Sequence, residues 1–81
     1  MSEIREQELD ARGLDCPMPL LKAKRALNAM QGGERLRILA TDKGSVRDFE
    51  VFSQQSGNAL ISSEERDGVF IHVIEKRLVE V

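Results

Sequence analysis

The single cysteine of this chain, Cys16, lies in the run Asp10-Ala11-Arg12-Gly13-Leu14-Asp15-Cys16-Pro17-Met18-Pro19-Leu20, where a strand-like stretch gives way to a helix-like one. A thiol in that place suits nucleophilic or group-carrying chemistry. Proline lacks an N–H and has a φ suited to a first helical turn, so Pro17 is expected at the first helical position with Cys16 as the cap. The unpaired N–H groups and partial positive charge of a helix start favour thiolate over thiol, which predicts a lowered pKa for Cys16. Pro19 removes a further donor, leaving the Met18 N–H as the amide expected to reach the sulfur. Gly13 supplies the freedom to turn between strand and cap. Against this stands the ordinary role of a lone cysteine as a small buried hydrophobe. Two prolines around Met18 favour a rigid, surface-facing bend instead. The neighbouring Asp15 carboxylate would raise the thiol pKa if it pointed at the sulfur.

Other residues offer less. A Cys16–His72 pair would be the minimal constellation for nucleophilic catalysis, but His72 alternates with Phe70 and Ile74 and is expected to be a partly buried sheet residue. One cysteine and one histidine at unrelated positions do not make a metal site, and no cofactor is implied. The segment Thr41-Asp42-Lys43-Gly44-Ser45 can be read as an anion-binding helix start or as a plain capped turn. A lone glycine favours the turn, with Ser45 and Asp48 spaced as a capping box.

The elements that must position these residues follow from periodicity. Gln7 to Ala11 reads as a strand with Leu9 and Ala11 on one face, and residues 1–6 as frayed. From Pro17 to about Met30 the apolar stripe Leu20, Ala23, Ala26, Leu27 and Met30 is helical, closed by Gln31-Gly32-Gly33. Glu34 to Thr41 alternates, with Leu36, Ile38 and Ala40 on the covered side. Val46, Phe49, Phe52 and Ser53 line one face of a second helix, which Gly57-Asn58 ends. Ala59–Glu65 and Val69–Lys76 form a hairpin signalled by Asp67-Gly68. The expected fold is α+β, a two-layer β-α-β-α-β-β sandwich. Its four-stranded mixed sheet carries both helices on one face and leaves the other largely uncovered.

With 81 residues the chain is read as one domain, 1–81, and a domain of this size buries only about 60% of the surface its unfolded chain exposes. That disfavours an enzyme with an enclosed cleft and favours a carrier, binding module or regulatory domain. Of the residues 41% are hydrophobic and 32% charged, a composition that folds, and a net charge of −2 with three phenylalanines as the only aromatics gives no footprint for nucleic acid. No apolar run approaches a membrane span, and Met1-Ser2-Glu3-Ile4-Arg5 lacks a signal-peptide core. The expectation is a cytoplasmic monomer with a reduced thiol.

The run Leu9-Asp10-x-Arg12-Gly13-Leu14-x-Cys16-Pro17-x-Pro19-Leu20 resembles the TusA/SirA-type sulfur-carrier family, whose signature is Cys-Pro-x-Pro at a helix start. A second block, Ala40-Thr41-Asp42-x-Gly44-Ser45-x-x-Asp48, resembles the family's segment before the second helix, and the similarity spans about residues 9 to 76. The resemblance implies a sulfurtransferase in which Cys16 accepts a sulfane sulfur as a persulfide from a donor such as a cysteine desulfurase. An acceptor protein then receives it, in tRNA thiolation, molybdenum-cofactor synthesis or sulfur metabolism. It also implies that Pro17 and Pro19 frame the site and that Asp10, Arg12 and Gly13 form the approach to it. Many members carry a cysteine in the second helix. Here the stretch is Asp48-Phe49-Glu50-Val51-Phe52-Ser53, so a persulfide cannot be resolved as an internal disulfide.

A helical projection leaves Met18 and Leu21 outward beside Cys16, flanked by Lys22 and Arg25, an apolar spot with a basic rim suited to an acidic partner surface. Two other readings stay open: a non-catalytic regulatory or interaction module of the same fold, and an RNA-binding domain, which would want a basic face or stacking aromatics.

Overall fold

A computed structural model describes residues 5–78, and along them six elements follow the expected order: β1 (Glu6–Ala11), α1 (Met18–Asn28), β2 (Arg35–Ala40), α2 (Gly44–Ser56), β3 (Ala59–Arg66) and β4 (Val69–Glu75). They build one mixed sheet in the order β1-β2-β4-β3, parallel only between β1 and β2. Of the residues expected to fray, Glu6 belongs to β1 and the Arg5 carbonyl accepts the Arg35 N–H, so those two are tied to the sheet. Residues 1–4 lie outside the described segment.

Alternation decides which side of the sheet is covered. Leu36, Ile38 and Ala40 of β2 and His72 and Ile74 of β4 are buried, while Arg35, Arg37, Leu39, Ile71 and Val73 stay partly exposed on the other face. Ala23 and Leu27 of α1 and Phe49 of α2 complete one core cluster with Ala11, Leu36, Ile38 and Ile74, so both helices lie on the same face. Each large apolar side chain in it contributes about 1.5–3 kcal/mol by leaving water. Phe49, 0% exposed, packs its ring 4.8 Å from that of His72.

Local details differ from the periodic reading where a backbone or buried group needs a partner. α1 ends at Asn28 and not near Met30. The Ala29 and Met30 N–H groups turn back to the Ala26 and Leu27 carbonyls, so the last turn tightens without a glycine cap. α2 does end on a left-handed glycine, Gly57, at φ 81°. In the β3–β4 hairpin Asp67 and Gly68 both have positive φ, the geometry of a type I′ turn. A bulge between Leu60 and Ser62 sets three residues of β3 against two of β4, which brings Ser63 opposite His72.

Candidate functional site

Cys16 sits in the loop between β1 and α1, exposed, at the end of the sheet where the helices begin. Its setting departs from the expected helix cap. The helix starts at Met18, Pro17 occupies the cap position after a cis Cys16–Pro17 peptide, and the Met18 N–H is taken by the Asp15 carbonyl at 2.8 Å. Pro17 is exposed, but Pro19 turns inward and is buried. The amide expected to stabilise a thiolate is therefore spent on the backbone turn.

What meets the sulfur instead is a carboxylate from the other helix. The Cys16 Sγ–H donates to Asp48 Oδ2 at 2.6 Å. A carboxylate accepting from the thiol favours its protonated form, and with partial desolvation and the nearby charges of Asp48 and Asp42 it pushes the Cys16 pKa up to about 11. The lowered pKa expected from a helix start is thus reversed. Asp15 is not among the causes: the carboxylates facing the thiol come from residues 42 and 48, far along the chain.

Three features hold this arrangement. Gly44 opens α2 close against the thiol, where a Cβ would lie 3.6 Å from Cys16 Cβ and 2.9 Å from Asp42 Oδ2. Asp42 Oδ2 is itself buried and has no hydrogen-bond partner among the described residues. The Gly13 N–H donates to Thr41 Oγ1 at 2.9 Å, joining the loop that carries Cys16 to the end of β2, and Gly13 adopts φ 81° to do so. Upstream, Arg12 Nε and a terminal nitrogen grip the two Asp10 oxygens at 2.8 and 3.0 Å, holding the Asp10 carboxyl down at about 2.

Comparison with known proteins assigns the chain. The family model described as "Sulfurtransferase TusA" matches residues 7–76. The chain belongs to that family. It is 54% identical over 71 residues to the sulfur carrier protein TusA of Allochromatium vinosum, covering 88% of this chain and 93% of that protein. It is 46% identical to a putative sulfur carrier protein of Neisseria meningitidis, across 91% of this chain and all of the relative. A SirA-like protein from Desulfitobacterium hafniense superposes with a TM-score of 0.78 at 26% identity, covering 86% of this chain and 96% of its own.

In this TusA-family chain the two sequence blocks become one site: Gly13 and Cys16 from the first meet Thr41, Asp42, Gly44 and Asp48 from the second. Ser45 plays a different part from the expected capping box. Its Oγ lies 3.0 Å from His72 Nε2, and Ser63 Oγ lies 2.8 Å from Nδ1, so one ring nitrogen donates and the other accepts. An unpaired buried imidazole nitrogen costs about 1–3 kcal/mol, whereas water can satisfy an exposed helix-start N–H, and the serine goes to the histidine. His72 is 0% exposed, more deeply set than expected, and makes no pair with the exposed Cys16. No group of three or more metal-ligating side chains occurs among the described residues, and no described helix is long and apolar enough to cross a membrane.

Next to Cys16, Met18, Leu21, Lys22 and Arg25 line a groove with Leu9 and Ala26. Met18 and Leu21 are 42% and 48% exposed. Sequence reasoning placed this face, but gave Asp48 no part in the thiol's chemistry. The available signal was the second block, whose last residue is Asp48.

Proposed function

We propose that this chain is a sulfur carrier in which Cys16 accepts a sulfane sulfur as a persulfide from a donor protein, such as a cysteine desulfurase, and passes it to an acceptor protein. The observation that carries the reading is the placement of Cys16, the only thiol in the sequence, on an exposed loop that two partners can reach in turn. An enclosed pocket would admit neither. Membership of the TusA family and the names of its relatives support the same chemistry.

In this reading Pro17 and Pro19 fix the loop, Asp10, Arg12 and Gly13 shape its approach, and Met18, Leu21, Lys22 and Arg25 receive the partner. The protein acts as a cytoplasmic monomer. It is a sulfurtransferase in the sense of a relay, with no cofactor of its own, and its acceptors belong to tRNA thiolation, molybdenum-cofactor synthesis or sulfur metabolism.

Intact-mass spectrometry after incubation with a cysteine desulfurase and cysteine tests this directly. The wild-type chain is expected to gain one sulfur atom, removable by a thiol reductant, and Cys16→Ser to gain none while keeping its circular dichroism spectrum. A wild-type chain that stays unmodified would leave an interaction module with the family fold and no carrier role.

A further inference from the structure

The short contact between Cys16 and Asp48 has a place in the transfer step itself. We propose that Asp48 is the acid–base residue of sulfur transfer: its carboxylate takes the proton of Cys16 Sγ as that sulfur attacks the outer sulfur of the donor persulfide, then gives it to the departing donor thiolate. The proposal rests on the carrier reading given above and adds to it the route of the proton.

The step balances without any outside oxidant or reductant. A bond forms between Cys16 Sγ and the outer sulfur, and the donor's S–S bond breaks with its electron pair on the donor's cysteine sulfur. The outer sulfur keeps its own hydrogen throughout. The proton lost by Cys16 reaches Asp48 and then the leaving thiolate, so Cys16–SH and donor–S–SH become Cys16–S–SH and donor–SH. Delivery runs the same path in reverse: Asp48 takes the acceptor thiol's proton as that sulfur attacks the outer sulfur, and returns it to Cys16 Sγ as the Cys16–sulfur bond breaks, so Cys16–S–SH and acceptor–SH become Cys16–SH and acceptor–S–SH.

Geometry supports the assignment. A general base must lie within about 2.6–3.2 Å of the atom it deprotonates, and Asp48 Oδ2 is 2.6 Å from Sγ. With the thiol pKa near 11, on the order of one molecule in ten thousand carries a thiolate at neutral pH, so a resting thiolate is a poor source of nucleophile. A base that removes the proton only as the sulfur attacks avoids that shortage. Asp48 is also rigidly presented. Its neighbour Phe49 is fully buried, Ser45 one turn earlier is tied to His72, and Gly44 lets the helix start approach the thiol.

A brake and a base predict opposite outcomes for Asp48→Asn. The variant loses the largest cause of the raised thiol pKa, so iodoacetamide should alkylate Cys16 at least about 10-fold faster at neutral pH. Single-turnover loading from cysteine desulfurase persulfide, read by intact mass, should instead slow on the order of 100-fold, with part of the loss recovered in Asp48→Glu. Faster alkylation together with loading as fast as wild type would reduce Asp48 to a brake and overturn the proposal, as would unchanged alkylation. If Asp48→Asn does not fold, Asp48→Ser carries the same two expectations. Failure of the wild-type chain to load at all would instead sink the carrier reading, a result separable from any behaviour of the variants.

Discussion

At the scale of single residues, Cys16 shows that its partner governs a thiol more than its position in sequence does. The two prolines and the glycine announce a bend before a helix, but the local turn consumes the Met18 amide and a carboxylate 32 residues away accepts the hydrogen bond of the thiol. Alkylation of the wild-type chain followed against pH should therefore show a midpoint near 11, well above the ordinary thiol value of about 8.5. A midpoint at or below the ordinary value would mean that Asp48 turns away from the sulfur in solution. Which thiol to consider was legible in the sequence because it holds one cysteine. The sign of its pKa shift was not, since local spacing says nothing about which distant side chain folds against it. Asp15, adjacent in sequence, was the natural suspect, yet it is the Asp15 backbone carbonyl that matters here.

At the scale of elements, α2 is fixed to the sheet through a buried imidazole. Ser45 reaches His72 Nε2, Ser63 reaches Nδ1, and the rings of Phe49 and His72 stand 4.8 Å apart. Burial lowers the His72 pKa from its ordinary 6.5. As pH falls through about 6.5 the unfolded chain takes up a proton that the folded chain refuses, so stability is full above that pH and declines below it until the folded pKa is reached. Melting temperature measured from about pH 7.5 down to 5.5 is expected to drop, and the slope to flatten in His72→Gln. A level wild-type curve would show that His72 accepts its proton without leaving its seat. The contribution that goes with the lowered Asp10 pKa is present throughout this range and is lost only as pH falls from 3.8 toward about 2. Element order was readable from alternation and helical stripes, because burial on one face imposes those periods directly. Helix starts were less so. Ser45 and Asp48 carry the spacing of a capping box, and both are drawn instead into long-range contacts that the pattern does not encode.

At the scale of the whole molecule, Cys16, Asp42, Gly44 and Asp48 gather at one end of the sheet, with the groove of Met18, Leu21, Lys22 and Arg25 alongside. Leu21 is half exposed and does not belong to the core cluster, so Leu21→Glu should leave the melting temperature and intrinsic alkylation nearly unchanged. Desulfurase binding in the same variant is expected to weaken on the order of 10-fold or more, as an apolar anchor becomes a charge that the partner must desolvate. Normal binding by a folded Leu21→Glu chain would move docking elsewhere, most naturally to the uncovered sheet face. The reach of Asp48 from α2 to the loop before α1 has one more consequence. Because the groups that suppress the thiolate arrive only with tertiary structure, folding makes Cys16 less reactive while leaving it accessible. A newly made or partly opened chain carries an ordinary thiol open to stray oxidants, and the native chain carries a quiet one that no wall shields. Between encounters the sulfur is guarded by its own proton, and a carrier that must wait at the surface for two successive partners can do so without enclosing the atom it has to hand over.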